Sequence, residues 1–415
     1  MIADITDAYR TVTQCRLCRS KRLTPVLSLP PTPPANAFQK SREVAVTLTR
    51  FPLNVMRCEN CGHHQLDAVV NAHVLFSDYV YASGTSPVFR AHFERYAEEV
   101  DRLVAPVRGG RAPRILELGS NDGTFLRALQ KRGFATLGVE PAFGLAAEAN
   151  RNGALTWNGF FTAALAEDVK HRFGPVDAWT ANNVLAHIDD FVGTLQALHL
   201  CCSDDAVGVF EVQYLERLLQ LGAFDMCYHE HLDYWRLTEL VAWLPLVTGW
   251  RVVDASVTSP HGGSLRVWVR SVNRPPSEHL ETVSGLLLGE ERGGQSFEQL
   301  IKRIEQCRTA LLKMLPSGKP TGTVAYGAPA KLSTFVETLG LADRLDYVID
   351  DSPLKQGLFA PGSGLEVRDS TALRTHPKRI VITAWNFADS IVKKLREAGC
   401  TSQLIVPFPE VHIVE

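Results

Sequence analysis

Two Cys-x-x-Cys pairs, Cys15-Arg-Leu-Cys18 and Cys58-Glu-Asn-Cys61, open this 415-residue chain and restrict what its first segment can become. Two such knuckles can point four thiolates into one tetrahedron, the ligand set of a structural zinc site. Four protein ligands close the coordination sphere, so such a centre holds a fold and leaves no position open for chemistry. An iron–sulfur centre is the other metal reading. A redox dithiol needs only one Cys-x-x-Cys and fits the doubled motif poorly. His63 and His64 follow the second knuckle and are the alternative ligands should one cysteine be replaced. The other five of the nine cysteines are scattered, which is unlike a secreted disulfide framework. Residues 1–75 form a small module that needs such a staple. They also hold the rigid segment PPTPPANAF (Pro30 to Phe38) and an alternating run, VAVTLTRFPLNVMRC, that predicts β-hairpin structure.

Composition supports a globular chain: 45% of residues are hydrophobic and 21% charged. The formal net charge of −2 lacks the global basic footprint of a nucleic-acid binder. No signal-peptide pattern opens the sequence, and no apolar run approaches the length of a membrane span. The expectation is a soluble cytoplasmic protein, a monomer or weak homodimer, that binds neither nucleic acid nor membrane.

Beyond a helix expected over SPVFRAHFERYAEEVDRLVAP, the pattern from about residue 112 alternates strand and helix. RILEL, ATLGVE, VDAWTANN and VGVFEV are strand-like, with helical segments between them, so a mostly parallel sheet covered by helices follows. VVDASVTSPHGGSLRVWVRS predicts an antiparallel hairpin turning at His-Gly-Gly. This gives a domain over 76–280, a helical connector over 281–315 broken near Gly293-Gly294, and a second α/β unit over 316–415.

The strand ILEL runs into Gly119-Ser-Asn-Asp-Gly123, where glycine allows a sharp turn and close approach of a ligand. The loop lacks both the dinucleotide G-x-G-x-x-G spacing and the Walker lysine. Glu140 ends the next strand, where an acid accepts hydrogen bonds from ribose hydroxyls. A nucleoside cofactor without pyrophosphate, S-adenosylmethionine, suits this pattern, with a nicotinamide or flavin cofactor as the competing reading. The residues expected to hold it are Glu117, Gly119, Ser120, Asn121, Asp122, Gly123, Glu140 and Asn182.

The ELGSNDG loop, the ANNVLAHI strand end, the cysteine module and the segments VAYGAPAKLSTF, IDDSPLKQG, AWNFADSI and VPFPEVHI together resemble one family along nearly the whole chain. It is that of the S-adenosylmethionine-dependent sugar C-methyltransferases, which act on nucleoside-diphosphate-linked keto-deoxysugars. The resemblance implies an α/β fold: a class I Rossmann-like methyltransferase core, a small N-terminal zinc-binding module and a C-terminal Rossmann-like substrate-binding domain. The cluster Cys227-Tyr-His-Glu-His-Leu-Asp-Tyr-Trp235 is no H-E-x-x-H zinc helix. Its Y-x-E-H match implies pocket residues Tyr228, Glu230 and His231, with His231 as the general base; an imidazole titrating near 6.5 suits that task. Tyr81 and His187 are implied as assisting residues, with Tyr79 an alternative to Tyr81, and Tyr214 and His261 as substrate contacts.

In the C-terminal unit, Tyr326-Gly-Ala-Pro-Ala-Lys331 lies at a strand-to-helix junction, where backbone N–H groups favour an anion. Lys331 adds a charge, and Trp385 and Asn386 end another strand at the same edge. A nucleotide diphosphate is a suitable ligand; a tight turn with a solvated lysine is the plainer reading. The reaction implied is methyl transfer to a sugar carbon beside a ketone. O-methylation of a sugar or small molecule, and a non-catalytic nucleotide-sugar binding protein, are the alternatives.

Overall fold

Both cysteine knuckles are tight turns closed by the same backbone bond: Arg19 N–H donates to the Cys15 carbonyl and Gly62 N–H to that of Cys58, each at 2.9 Å. Arg19 and Gly62 adopt positive φ, 62° and 82°. The computed structural model describes residues 8–76, 84, 87–104, 110–258, 262–274, 280–293 and 296–414. Around the knuckles run β1 (Tyr9–Thr11), β2 (Leu23–Thr32), β3 (Phe51–Cys58), β4 (His64–Leu66) and β5 (Ala68–Val70). β1 pairs with β5, and β2, β3 and β4 form an antiparallel meander.

The run expected to be hairpin throughout is strand only in its second half. Arg42–Thr47 is a helix, capped by the Ser41 hydroxyl, which accepts from Val44 N–H at 3.3 Å, with Glu43 in its first turn. A side-chain cap and an acid at the positive end of the helix outweigh the β preference of Val44, Val46 and Thr47.

The central unit contributes β6 (Arg114–Leu118), β7 (Ala135–Glu140), β8 (Thr156–Asn158), β9 (Val176–Asn182), β10 (Cys202–Gln213), β11 (Asp233–Tyr234), β12 (Trp250–Thr258) and β13 (Ser264–Ser271). All but β11 form a seven-stranded sheet ordered β12-β13-β10-β9-β6-β7-β8. β8 to β10 in this order are parallel; β13 runs antiparallel to both its neighbours, as the predicted hairpin requires. Ile115, Leu116 and Leu118 of β6 are buried, because helices cover both faces of a parallel sheet. The helix Pro87–Val104 lays Phe93, Tyr96, Val100 and Val104 against Phe125 and Leu129. From β6 the chain builds outward through β7 to β8, then returns to place β9 on the other side. That reversal makes a topological switch point at the C-terminal ends of β6 and β9.

Helices Leu280–Gly293 and Phe297–Met314 lead to the last unit, the second opened by a Ser296–Gln299 capping box. β14 (Thr323–Tyr326), β15 (Val348–Ile349), β16 (Val367–Arg368), β17 (Arg379–Ile382), β18 (Gln403–Val406) and β19 (His412–Val414) form a six-stranded sheet ordered β16-β15-β14-β17-β18-β19. Only β19, which the sequence did not signal, is antiparallel.

The N-terminal module keeps only a small cluster to itself, Phe51 with Val70 and Leu75. Leu27, Leu53 and Leu66 share one apolar cluster with Leu218 and Phe224 of the central unit and Phe335 and Leu339 of the last. β11 pairs with β4, Asp233 opposite Gln65 and Tyr234 opposite His64, so the residues just after His231 belong to the N-terminal sheet. Among the described residues no helix is long and apolar enough to cross a membrane.

Candidate active site and metal centre

The four knuckle sulfurs lie within 4.8 Å of one another, with Cys15–Cys61 and Cys18–Cys58 both at 3.5 Å. A tetrahedral zinc with Zn–S bonds of about 2.3 Å spaces its sulfurs about 3.8 Å apart, so the quartet fits that ion. Neither histidine replaces a cysteine. His63 Nε2 meets Asp233 Oδ1 at 2.8 Å and its ring packs on Trp235, while His64 stacks on Phe297.

At the switch point Gly119 turns with φ 62°, and a Cβ there would sit 2.3 Å from the Val184 side chain, so no larger residue passes. Asn121 and Gly123 also adopt positive φ. The Glu140 carboxylate accepts from the N–H groups of Asn121 at 2.9 Å and Ala142 at 2.8 Å, tying the glycine loop to the end of β7. Burial pushes its pKa up. Asp122 accepts from Thr124 N–H at 3.0 Å and Gly84 N–H at 2.7 Å, holding the turn that leads into the helix Thr124–Gln130. The Ser120 side chain is turned onto Gly138 of β7. Glu117 takes the Asn182 amide on Oε1 at 3.0 Å, and burial holds its carboxyl well above the ordinary range. Glu117 Oε2, Ser120 Oγ and Asn182 Oδ1 are buried without a hydrogen-bond partner among the described residues. Unsatisfied polar atoms around a glycine turn at a switch point fit a nucleoside cofactor bound there.

The Y-x-E-H segment lies between the 3₁₀ turn Phe224–Met226 and β11. His231 Nδ1 meets the Met226 carbonyl at 2.9 Å, and Nε2 meets the Tyr228 hydroxyl at 2.8 Å. A carbonyl only accepts, so Nδ1 carries the proton of the neutral ring and Nε2 presents its lone pair to Tyr228. The His187 ring, from the turn Leu185–His187, lies 5.1 Å from that of His231. Glu230 is 1% exposed and accepts from Asn36 Nδ2 at 2.7 Å. His229 faces the other way, to the Pro52 carbonyl at 3.1 Å. Tyr228, His231 and His187 are thus gathered together, with Glu230 beside His231 in sequence and turned to Asn36; Tyr79, Tyr81 and His261 lie outside the described residues.

The remaining expected substrate residues have partners within the protein. Tyr214 is buried beside Glu290, which caps the helix Leu237–Val247 through the N–H groups of Leu237 and Thr238. The Tyr326 hydroxyl donates to Asp351 at 3.0 Å. Lys331 is a buried side chain: its ammonium lies 3.5 Å over the Trp385 ring, donates to Asn386 Oδ1 at 3.1 Å and is 4.0 Å from Asp225. Trp385 Nε1 donates to the same Asp225 carboxylate at 2.8 Å. Burial brings Lys331 down to about 8 and raises Asp225. Lys331, Trp385 and Asn386 therefore form a seam with the turn that precedes Tyr228. At the strand-to-helix junction, Ala328 N–H is already taken by Asp350 at 2.6 Å.

Asn36, Asp225 and Lys355 escaped the sequence reading. Lys355 is buried, donates to the Ala328 carbonyl at 2.8 Å and lies in the field of Asp350 and Glu230. The available signal was the rigid proline segment around Asn36, whose stiffness suits a chain that must present one side chain across a domain boundary.

Three family descriptions match in order along the chain: "Putative zinc binding domain" over 15–76, "Methyltransferase domain" over 89–255 and "C-methyltransferase C-terminal domain" over 259–409. The chain is 30% identical to C-methyltransferase NovU of Streptomyces niveus over 423 residues, spanning 98% of each protein. Among solved structures it is similar to the PH0226 protein of Pyrococcus horikoshii OT3, at 12% identity and TM-score 0.37 over 48% of this chain and 98% of that one. It is also similar to the CcbJ methyltransferase of Streptomyces caelestis, at 13% identity and TM-score 0.32 over 42% of this chain and 89% of that one. The chain belongs to the S-adenosylmethionine-dependent methyltransferases that join an N-terminal zinc-binding module to a class I core and a C-terminal α/β extension, and is related to NovU-like C-methyltransferases.

Proposed function

We propose that this enzyme methylates a carbon atom beside the ketone of a nucleoside-diphosphate-linked keto-deoxysugar, with His231 as the base. The observation that carries the reading is the Tyr228–His231 hydrogen bond, 2.8 Å long, in a chain related end to end to a protein named as a C-methyltransferase. S-adenosylmethionine, held by the glycine loop, Glu140 and Asn182, supplies the methyl group on its sulfonium.

The ketone acidifies the neighbouring C–H bond. With Nδ1–H fixed on the Met226 carbonyl, the proton taken from the sugar ends on His231 Nε2, the position the Tyr228 hydroxyl now fills. The enolate oxygen that results needs hydrogen-bond donors; Tyr228 and His187 supply them. Glu230, held by Asn36, orients the sugar hydroxyls. Tyr81 or Tyr79, His261 and Tyr214 complete the sugar pocket in this reading. The nucleotide lies on the C-terminal unit near Tyr326, Trp385 and Asn386, with Lys331 acting through the seam it holds.

The test is incubation with a panel of nucleotide-linked keto-sugars and methyl-labelled cofactor, followed by mass spectrometry. One sugar gaining a single methyl group is the expected result. Tight sugar binding with no methyl transfer from any member would instead favour a non-catalytic binding protein.

A further inference from the structure

Arg16 stands between two metal ligands, Cys15 and Cys18, yet its side chain leaves the metal site. The residue is 3% exposed. Nη1 donates to the carbonyls of Leu66 at 3.0 Å and Leu232 at 3.3 Å, and Nε donates to Asp189 Oδ1 at 3.2 Å. Nη1 also lies 3.8 Å from Asp233 Oδ1. Asp233 is the partner of His63, which follows ligand Cys61 by two positions. Both knuckles therefore reach the same pair of residues, Leu232 and Asp233, the pair directly after His231.

Leu232 is tied on its other side as well. Its N–H donates to the Ala186 carbonyl at 2.7 Å, next to His187, and its carbonyl also accepts from Leu66 N–H at 2.8 Å. One residue thus fixes the backbone of both histidines, whose rings are 5.1 Å apart. A planar guanidinium presents several donors at once and can serve two carbonyls and a carboxylate; an ammonium is a single point charge and cannot reproduce that fork. A buried cation costs stability unless paired, and here Asp189 and Asp233 supply the pairing.

We propose that Arg16 is a positioning residue that makes the zinc module part of the catalytic machinery. The metal holds the knuckle, Arg16 holds Leu232, and Leu232 sets the approach of His187 to His231. The inference rests on the reading of His231 as the base, but its structural part is measurable apart from turnover.

The experiment compares Arg16→Ala and Arg16→Lys in the full chain with Arg19→Ala, which removes an exposed arginine of the same knuckle paired with Asp190 at 3.1 Å. Zinc content, cofactor affinity, kcat, KM and the imidazole nitrogen NMR signals of His231, assigned by their loss in His231→Asn, are measured for each. Arg16→Ala is expected to keep zinc and cofactor affinity, to displace the His231 signals and to lower kcat roughly 10- to 100-fold at nearly constant KM. Arg16→Lys should restore only part of the loss, and Arg19→Ala should match the parent. Unmoved His231 signals with a normal kcat in Arg16→Ala would overturn the proposal. Should Arg16→Ala not fold or lose zinc, Asp189→Ala removes a partner from the far side of the guanidinium without touching the knuckle. It is expected to move the His231 signals in the same way as Arg16→Lys, and unmoved signals there overturn the proposal equally. Full activity in His231→Asn would remove the base assignment, while the NMR comparison would still decide whether Arg16 places that ring.

Discussion

The Tyr228 hydroxyl lies 2.8 Å from Nε2 of His231, whose other nitrogen is fixed on the Met226 carbonyl. The neutral imidazole is held in one tautomer, and its Nε2 lone pair points at a phenol. Both His231→Asn and Tyr228→Phe should therefore suppress turnover by roughly 10²–10⁴-fold, because the first removes the proposed base and the second a proposed donor to the enolate oxygen. Cofactor affinity, measured by calorimetry, should stay close to that of the parent. A Tyr228→Phe enzyme with normal kcat would remove Tyr228 as the donor to the enolate oxygen.

The sulfur quartet is expected to hold one zinc per chain in elemental analysis of protein purified without chelator. Cys58→Ser should lower both metal content and melting temperature, because the module shares most of its apolar face with two other units and has only the small Phe51–Val70–Leu75 cluster to itself. Protein with neither zinc nor iron would contradict the assignment.

Glu140 joins the glycine loop to β7 through the N–H groups of Asn121 and Ala142. Glu140→Ala should weaken S-adenosylmethionine roughly 10- to 100-fold, losing both the loop anchor and the ribose acceptor. Asp122→Ala removes the acceptor of the Thr124 and Gly84 N–H groups and should cost about 1 kcal/mol of stability. Calorimetric titration and urea unfolding separate the two effects. Unchanged affinity in Glu140→Ala would remove the ribose assignment.

Burial raises the Glu239 carboxyl to about 7. A carboxyl with a folded pKa above its unfolded one binds more protons when folded. Its contribution to stability is therefore fully present below the unfolded value and lost as the pH rises through about 7. A zinc tetrathiolate nearby carries net negative charge and acts in the same direction. Glu239→Gln should thus gain stability over the parent on going from pH 5.5 to pH 8.5, by about 2 kcal/mol in urea unfolding. A difference that does not change with pH would mean that Glu239 titrates normally.

Much of this architecture is legible in residue order because its signals are local. The cysteine spacing announces the quartet, and ILEL-Gly119 followed by Gly138-Val-Glu140 announces the cofactor edge, since strand, turn and acid each follow from adjacent side chains. The helix Arg42–Thr47 was hidden by its β-branched residues, and only the Ser41 cap betrays it. β19 is three residues long and mostly exposed, too short for periodicity to register. The supports of the site are invisible for another reason: Arg16 meets Leu232 across 216 positions, and Asn36 meets Glu230 across 194. No local pattern encodes a pairing made by tertiary packing. Lys331 is a related case, since its burial is set by residues distant in sequence. Its strand-to-helix junction reads as an anion site, but Asp350 takes Ala328 N–H and Asp225 lies beside the lysine.

The central claim is that the methyl group arrives on carbon after His231 removes a proton. It is tested most directly by NMR of the product formed from a nucleotide-linked keto-sugar and cofactor carrying a ¹³C-labelled methyl. The labelled methyl is expected to couple to a ring carbon next to the ketone, with no such product from His231→Asn. A labelled methyl bonded to oxygen would contradict it, as would an undiminished yield of the carbon-methylated product from His231→Asn.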